Sequence, residues 1–166
     1  MEKKFDGKLI KVFAKKIVLP NSETINLEIV KHPGAVLIVP FLNKNKIIIL
    51  YQYRPVIEQY LYELPAGTLG KDEQHAKCAR RELIEETGYT AKKIKKIGQI
   101  YPCPGYSTER IVFFSASELS ICAQQLEKDE IIQLKTQTKA QIKNLFKQGE
   151  IIDAKTICAL SLIGWI

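Results

Sequence analysis

Residues 81–89, RELIEETGY, crowd Glu82, Glu85 and Glu86 into the end of a segment that reads as a helix closed by Gly88. Asp72 is placed to cap its start, so the pattern predicts a helix from about Glu73 to Thr87. Gly88 then falls at the position where left-handed backbone is needed. A helix C-terminus carries unpartnered carbonyls and partial negative charge, which disfavours acids and favours lysine. Lysine is abundant in this chain, yet none lies between Lys77 and Lys92. At roughly 100° per residue the three glutamates share about one third of the circumference, beside a packing arc of Ala76, Ala79, Leu83 and Thr87. Glu82 and Glu86 form an i, i+4 like-charge pair, unfavourable by roughly a few tenths of a kcal/mol in an isolated helix. A solvated acidic face is one reading. A hard divalent cation, Mg²⁺ or Mn²⁺, is the other; it takes carboxylate and phosphate oxygens and would neutralise the cluster. Arg81, four residues before Glu85, can hold that carboxylate through a forked hydrogen bond.

Working outward, "KLIKVFAKKIVL", "TINLEIV", "AVLIVPFL" and "KIIILYQY" are apolar, β-branched runs separated by "PNSE", "KHPG" and "NKNK". They predict a strand-rich first half, with Pro40 marking a sheet edge or bulge. Strands resume at "IGQIYPC" and "RIVFFSAS", and "TKAQIKNLFKQG" and "DAKTICALSLIG" predict two further helices, the first closed by Gly149. Elements in this order suggest an α/β sheet covered by helices on both faces.

The 166 residues fit one domain able to bury its own core. Cys78, Cys103, Cys122 and Cys158 stand apart with no C-x-x-C pair, which argues against a zinc site or disulfide framework. No secretory signal or membrane span is expected at either terminus: the N-terminal residues alternate charge with apolar side chains, and the C-terminal apolar tract has 11 residues. A cytoplasmic location is expected, without membrane attachment. The net charge of +7 suggests an anionic partner. The basic residues are scattered and lack interleaved aromatics, so no nucleic-acid partner is expected. Arg54, Arg80, Arg81 and Arg110 are the only arginines and all fall in the middle of the chain, which favours planar phosphate or carboxylate contacts there.

From Gly67 the chain continues with five residues, Glu73, seven residues, then Arg81-Glu82-Leu83-Ile84-Glu85-Glu86-Thr87-Gly88-Tyr89. This resembles the Nudix box, G-x5-E-x7-R-E-U-x-E-E-x-G-U, where U is bulky and aliphatic; Tyr89 is its one departure. "QYRP" at 52–55, "YELPAGTL" at 62–69, "YPCPGYSTER" at 101–110 and "GEIIDAKT" at 149–156 resemble landmarks of the ADP-ribose pyrophosphatase branch, whose marker proline matches Pro104. The resemblance implies a Nudix-type α/β/α sandwich with a mixed sheet over residues 33–166. Residues 1–32 would be an N-terminal strand extension that crosses between the subunits of a homodimer.

It further implies Mg²⁺-dependent hydrolysis of ADP-ribose or a related ADP-sugar to AMP and ribose 5-phosphate. Glu82, Glu86, Glu85 and the Ala66 carbonyl would bind metal, and Arg81 would orient Glu85. Arg54 would contact phosphate, Glu109 the terminal ribose, and Phe13 and Glu28 are conceivable contacts for adenine. A loop glutamate would be the general base, Glu127 or Glu130 in "EKDE". Each has a plainer alternative: Arg54 paired with an acid, Glu109 solvated on a hairpin, "EKDE" an exposed loop. Alternative functions are hydrolysis of another nucleotide sugar such as GDP-mannose, a non-catalytic ADP-ribose sensor, and RNA processing.

Overall fold

Aliphatic runs set the strands. In the computed structural model, which describes residues 1–166, the order is β1 (Glu2–Asp6), β2 (Lys11–Val18), β3 (Thr24–Lys31), β4 (Ala35–Asn43), β5 (Lys46–Arg54), β6 (Gln59–Glu63), β7 (Ala66–Thr68), α1 (His75–Thr87), β8 (Tyr89–Ile100), β9 (Ile111–Ile121), β10 (Ile132–Thr138), α2 (Lys139–Lys147) and α3 (Ala154–Leu162). Strands β1 to β3 form their own antiparallel sheet. The other seven make a mixed sheet with the path β10-β5-β4-β9-β8, in which β4 and β9 run parallel.

Two-residue alternation sorts the core into two layers. Leu37 and Val39 of β4 and Phe113 of β9 pack with Ile142, Ala159 and Leu160 from α2 and α3. Val36, Ile38, Val112 and Phe114 point the other way, against Cys78, Ala79 and Leu83 of α1. Each fully buried Leu, Ile or Phe contributes about 1.5–3 kcal/mol. Helices cover both faces, as expected of the Nudix-type sandwich.

Strands β4 and β5 pair only at Phe41 and Asn43, across a register shift, and then diverge; β6 lies against β5 and β7 against β4. Pro40 sits in this fork. The Ile38 N–H points into it, bonding Pro65 O at 2.8 Å. Two residues later the missing Pro40 N–H falls on the same side, where no ladder partner stands opposite. Of the expected edge or bulge, the structure has the irregularity, a register shift at Phe41/Asn43, set at an internal branch of a central strand rather than at a sheet edge. Its consequence is functional, because the branch carries Ala66–Thr68 beneath α1.

Helix α1 begins two residues later than its spacing suggests. Gln74 occupies the N-cap without a side-chain bond, and Asp72 has φ 57° in the preceding turn. Glu73 closes that turn instead, its N–H bonding Gly70 O and its carboxylate accepting from Gly70 N at 2.9 Å. Ala76 is exposed, and Cys78 takes the packing position assigned to it. At the far end Gly88, φ 67°, closes the helix as expected. The β1–β3 sheet hangs from the body by Val30, which bonds Tyr106 O and Thr108 N at 2.7 and 3.0 Å.

Candidate active site

Glu82 and Glu86 project from the buried side of α1 toward the β7 backbone, and are 7% and 2% exposed. Glu86 Oε2 accepts from Ala66 N at 2.8 Å, and Glu82 packs on Gly67, where no side chain would fit. Burial drives both carboxyls upward, Glu82 to about 7 and Glu86 well above the usual range. Arg81 opposes the shift at Glu82, while the charges of Glu85 and Glu130 add to it. Carboxyls held so far above their ordinary range mark a candidate functional site, and a bound cation is one way to keep them ionised.

Arg81 organises the rim. Its Nε and Nη2 grip Glu73 at 3.0 Å each, Nη1 reaches Glu85 at 2.8 Å and Glu82 at 2.6 Å, and Nη2 also donates to Thr68 O at 3.2 Å. This fork holds the Glu73 carboxyl down at about 2. The expected Arg81–Glu85 contact is present, and Glu73 is the stronger partner. Cys78 Sγ accepts from Nη2 at 3.3 Å; burial pushes its thiol up to about 12, so it serves as inert packing.

The donor set suits a hard divalent cation: oxygen ligands only, two of them buried carboxylates of which Glu82 has Arg81 as its one cationic partner and Glu86 only a backbone N–H. No three acidic, histidine or cysteine side chains converge on one point at metal-ligand distance. Arg81 Nη1 lies between Glu82 and Glu85 and takes an oxygen from each.

Beside this face opens a cavity of about 400 Å³, lined by Ala66, Gly67, Arg54, Glu109, His32 and Lys155 among others. That is the size of a small-molecule site. Arg54 and Glu109, distant in sequence, both reach it. Arg54 gives Nε and Nη2 to the two oxygens of Glu63 at 2.6 Å each. Lys155 also binds Glu63, which is 1% exposed, and reaches Asp153 at 2.9 Å. Burial alone would raise the Glu63 carboxyl, but the Arg54 hydrogen bond and the two cations outweigh it and hold it low. His32 Nδ1 lies 3.8 Å from Glu109 yet accepts the Gly34 N–H at 3.0 Å. With Nδ1 engaged by Gly34, the His32–Glu109 approach is not a hydrogen bond.

Glu63, Asp153 and Lys155 were missed as site residues, although "YELPAGTL" and "GEIIDAKT" contain them; a lone acid inside an apolar strand was the available signal. Glu28 is not brought to the site. It is exposed on β3, opposite Ala14, in the separate N-terminal sheet. Glu130 lies close enough to add its charge to Glu82 and Glu86. Glu127 faces a second cleft, with Lys8, Glu73 and Arg81.

Comparison with known proteins identifies the family. The NUDIX domain model matches residues 31–160. The chain is 40% identical over 164 residues to an ADP-ribose pyrophosphatase of Bacillus subtilis, covering 98% of this chain and 89% of the relative. It is 36% identical, with the same coverage, to a methanol dehydrogenase activator of Bacillus methanolicus. A GDP-mannose pyrophosphatase of Citrobacter koseri is 33% identical over 140 residues, covering 78% of this chain and 72% of that one. A crystal structure of an ADP compounds hydrolase superposes with a TM-score of 0.83 at 21% identity, covering 98% of this chain and 88% of the other, which establishes the shared fold. With an unbroken glutamate motif on α1 and a family match over most of its length, the chain belongs to the Nudix hydrolase family.

Proposed function

We propose that the protein hydrolyses the pyrophosphate bond of ADP-ribose or a related ADP-sugar, releasing AMP and ribose 5-phosphate. The observation that carries this reading is the buried Glu82–Glu86 pair packed on Ala66 and Gly67, the same backbone that lines a cavity reached by Arg54 and Glu109. Glu82 and Glu86, with Glu85 and the Ala66 carbonyl beside them, would hold Mg²⁺ or Mn²⁺. Such ions neutralise the diphosphate, polarise a phosphoryl oxygen and lower the pKa of water.

The remaining work falls to the chain's own side chains. Arg81 fixes Glu85 and Glu73, so the acidic face keeps its shape as substrate arrives. Arg54, clamped by Glu63, presents its remaining nitrogen toward phosphate, and Glu109 accepts from sugar hydroxyls. A loop acid, Glu130 or Glu127, takes the proton of the attacking water.

The N-terminal sheet supports a homodimer. Phe5, Leu9 and Val18 are exposed in a single chain, and no residue of β1 to β3 is fully buried. A second copy would cover that surface and is required for Phe13 or Glu28 to approach a nucleobase. Four free cysteines fit a reducing compartment such as the cytoplasm. No helix is long and apolar enough to cross a membrane.

Incubation with ADP-ribose and Mg²⁺, followed by chromatography of the products, tests the reading. AMP and ribose 5-phosphate are expected. Far faster turnover of GDP-mannose would reassign the substrate, and binding of ADP-ribose without cleavage would make the protein a sensor.

A further inference from the structure

We propose that Gln124 is a positioning residue. Its side-chain amide latches the segment between β9 and β10 onto the C-terminus of α1, and this holds Glu130 beside the carboxylate face, with Glu127 next to it at the neighbouring cleft. The inference rests on the reading above that a loop acid accepts the proton.

A helix ends with carbonyls that need donors, and α1 has no basic residue in its last turn. Thr87 Oγ1 serves Leu83 O, and Gly88 N serves Ile84 O at 2.8 Å. Every further donor comes from the crossing segment. Gln125 N reaches Glu85 O at 3.0 Å, Gln124 Nε2 reaches Glu86 O at 2.6 Å, and Cys122 N reaches Gly88 O at 2.8 Å. A Cβ at residue 88 would lie 3.1 Å from Cys122 O and 3.2 Å from Gln124 N, so the close approach also depends on glycine there.

The other end of the segment is tied to β5, where Tyr53 N bonds Ile131 O at 3.0 Å. Between the anchors, Glu130 N bonds Glu127 O at 3.1 Å and Glu127 N bonds Glu130 Oε2 at 2.8 Å, closing a turn. Gln124 is the one side chain that fastens this strap to α1. It grips the backbone of Glu86, whose carboxylate belongs to the acidic face, so strap and face share one rigid reference.

Gln124→Glu tests the latch, because it keeps the shape and removes the donor. The expected result is a kcat for ADP-ribose lowered by about 10- to 100-fold, as loss of alignment does, with KM nearly unchanged. Deuterium uptake across residues 122–131 should rise at the same time. Gln124→Lys retains a donor suited to a helix C-terminus and should recover most of the loss. Unchanged uptake in Gln124→Glu overturns the latch, and raised uptake with unchanged kcat overturns its positioning role. If Gln124→Glu does not fold, Gln124→Ala carries both readouts. The exchange measurement is independent of the chemistry: failure of both Glu127→Gln and Glu130→Gln to lower kcat would sink the loop-base reading alone.

Discussion

The backbone of Gly67 lies directly against the carboxylate of Glu82: a Cβ at residue 67 would stand 1.9 Å from Glu82 Cδ and 2.0 Å from its Oε1. Residue 67 has no left-handed backbone requirement, so space alone demands glycine. Gly67→Ala should leave the melting temperature close to the parent and push Glu82 off its seat. We expect kcat to fall by about 100-fold and Mg²⁺ affinity, measured by calorimetry, to weaken in step. Full activity in a folded variant would remove Glu82 from the metal-binding role.

Arg81→Lys keeps the charge and loses the planar fork. Lysine cannot grip both oxygens of Glu73 while reaching Glu85 and Thr68 O. A loss of about 10- to 100-fold in kcat is expected, with circular dichroism unchanged. Parent-like kinetics would show that a point charge suffices.

How much of this arrangement the sequence discloses depends on whether its cause is local. Helix spacing and the glycine at its end put Glu82, Glu85 and Glu86 on one face, and α1 obeys because nothing distant contradicts it. The fork of β4 and β5 was not legible. It depends on β6 and β7, five and three residues long, too short for a periodic signal, so Pro40 signals an edge or bulge without the branch that explains it. Strand β10, with its polar IQLKTQT, and β1, with Phe5 as its one apolar residue, carry too few apolar side chains to stand out as strands. The Glu63 ion cluster joins β5, β6 and α3, and no window along the chain contains it.

Protonation of the acidic face should invert the usual pH dependence. Glu82 titrates at about 7 in the folded protein, against 4.5 ordinarily. Between those values the folded state holds a proton that the unfolded chain has lost, so stability falls as pH rises through the window. Glu86 acts in the same direction. Glu73, held at about 2, contributes stability above its ordinary 4.5 that is lost only on further acidification. Metal-free protein should therefore melt at a higher temperature at about pH 5.5 than at about pH 8. Saturating Mg²⁺, which needs the ionised carboxylates, should shrink or reverse the difference. Scanning fluorimetry reads both; a melting temperature that rises with pH in the metal-free protein would contradict the upward shift that burial gives the pair.

Thr156 links the site to the scaffold: its buried hydroxyl accepts the Leu64 N–H at 2.9 Å, fixing α3 to the segment before β7. Thr156→Val leaves that N–H unpaired at nearly constant volume and should destabilise by about 1–3 kcal/mol. Thr156→Ser should recover most of it in chemical denaturation. Equal stability of all three proteins would mean the bond contributes nothing net.

The two loop acids should separate in a single kinetic comparison. Burial comes first in raising Glu82 and Glu86, but the charge of Glu130 adds to both shifts, which puts its carboxylate within electrostatic reach of the reacting face. Glu127 instead lines the neighbouring cleft with Lys8 and Arg81, and its backbone N–H steadies Glu130 at 2.8 Å. Glu130→Gln should lower kcat by about 10²- to 10⁴-fold, the usual contribution of a general base, and flatten the acidic limb of the pH–rate profile while KM changes little. Glu127→Gln, which keeps that backbone donor, should lose far less. The opposite ranking would move the base to Glu127 and require the turn between the two residues to rotate before the chemistry.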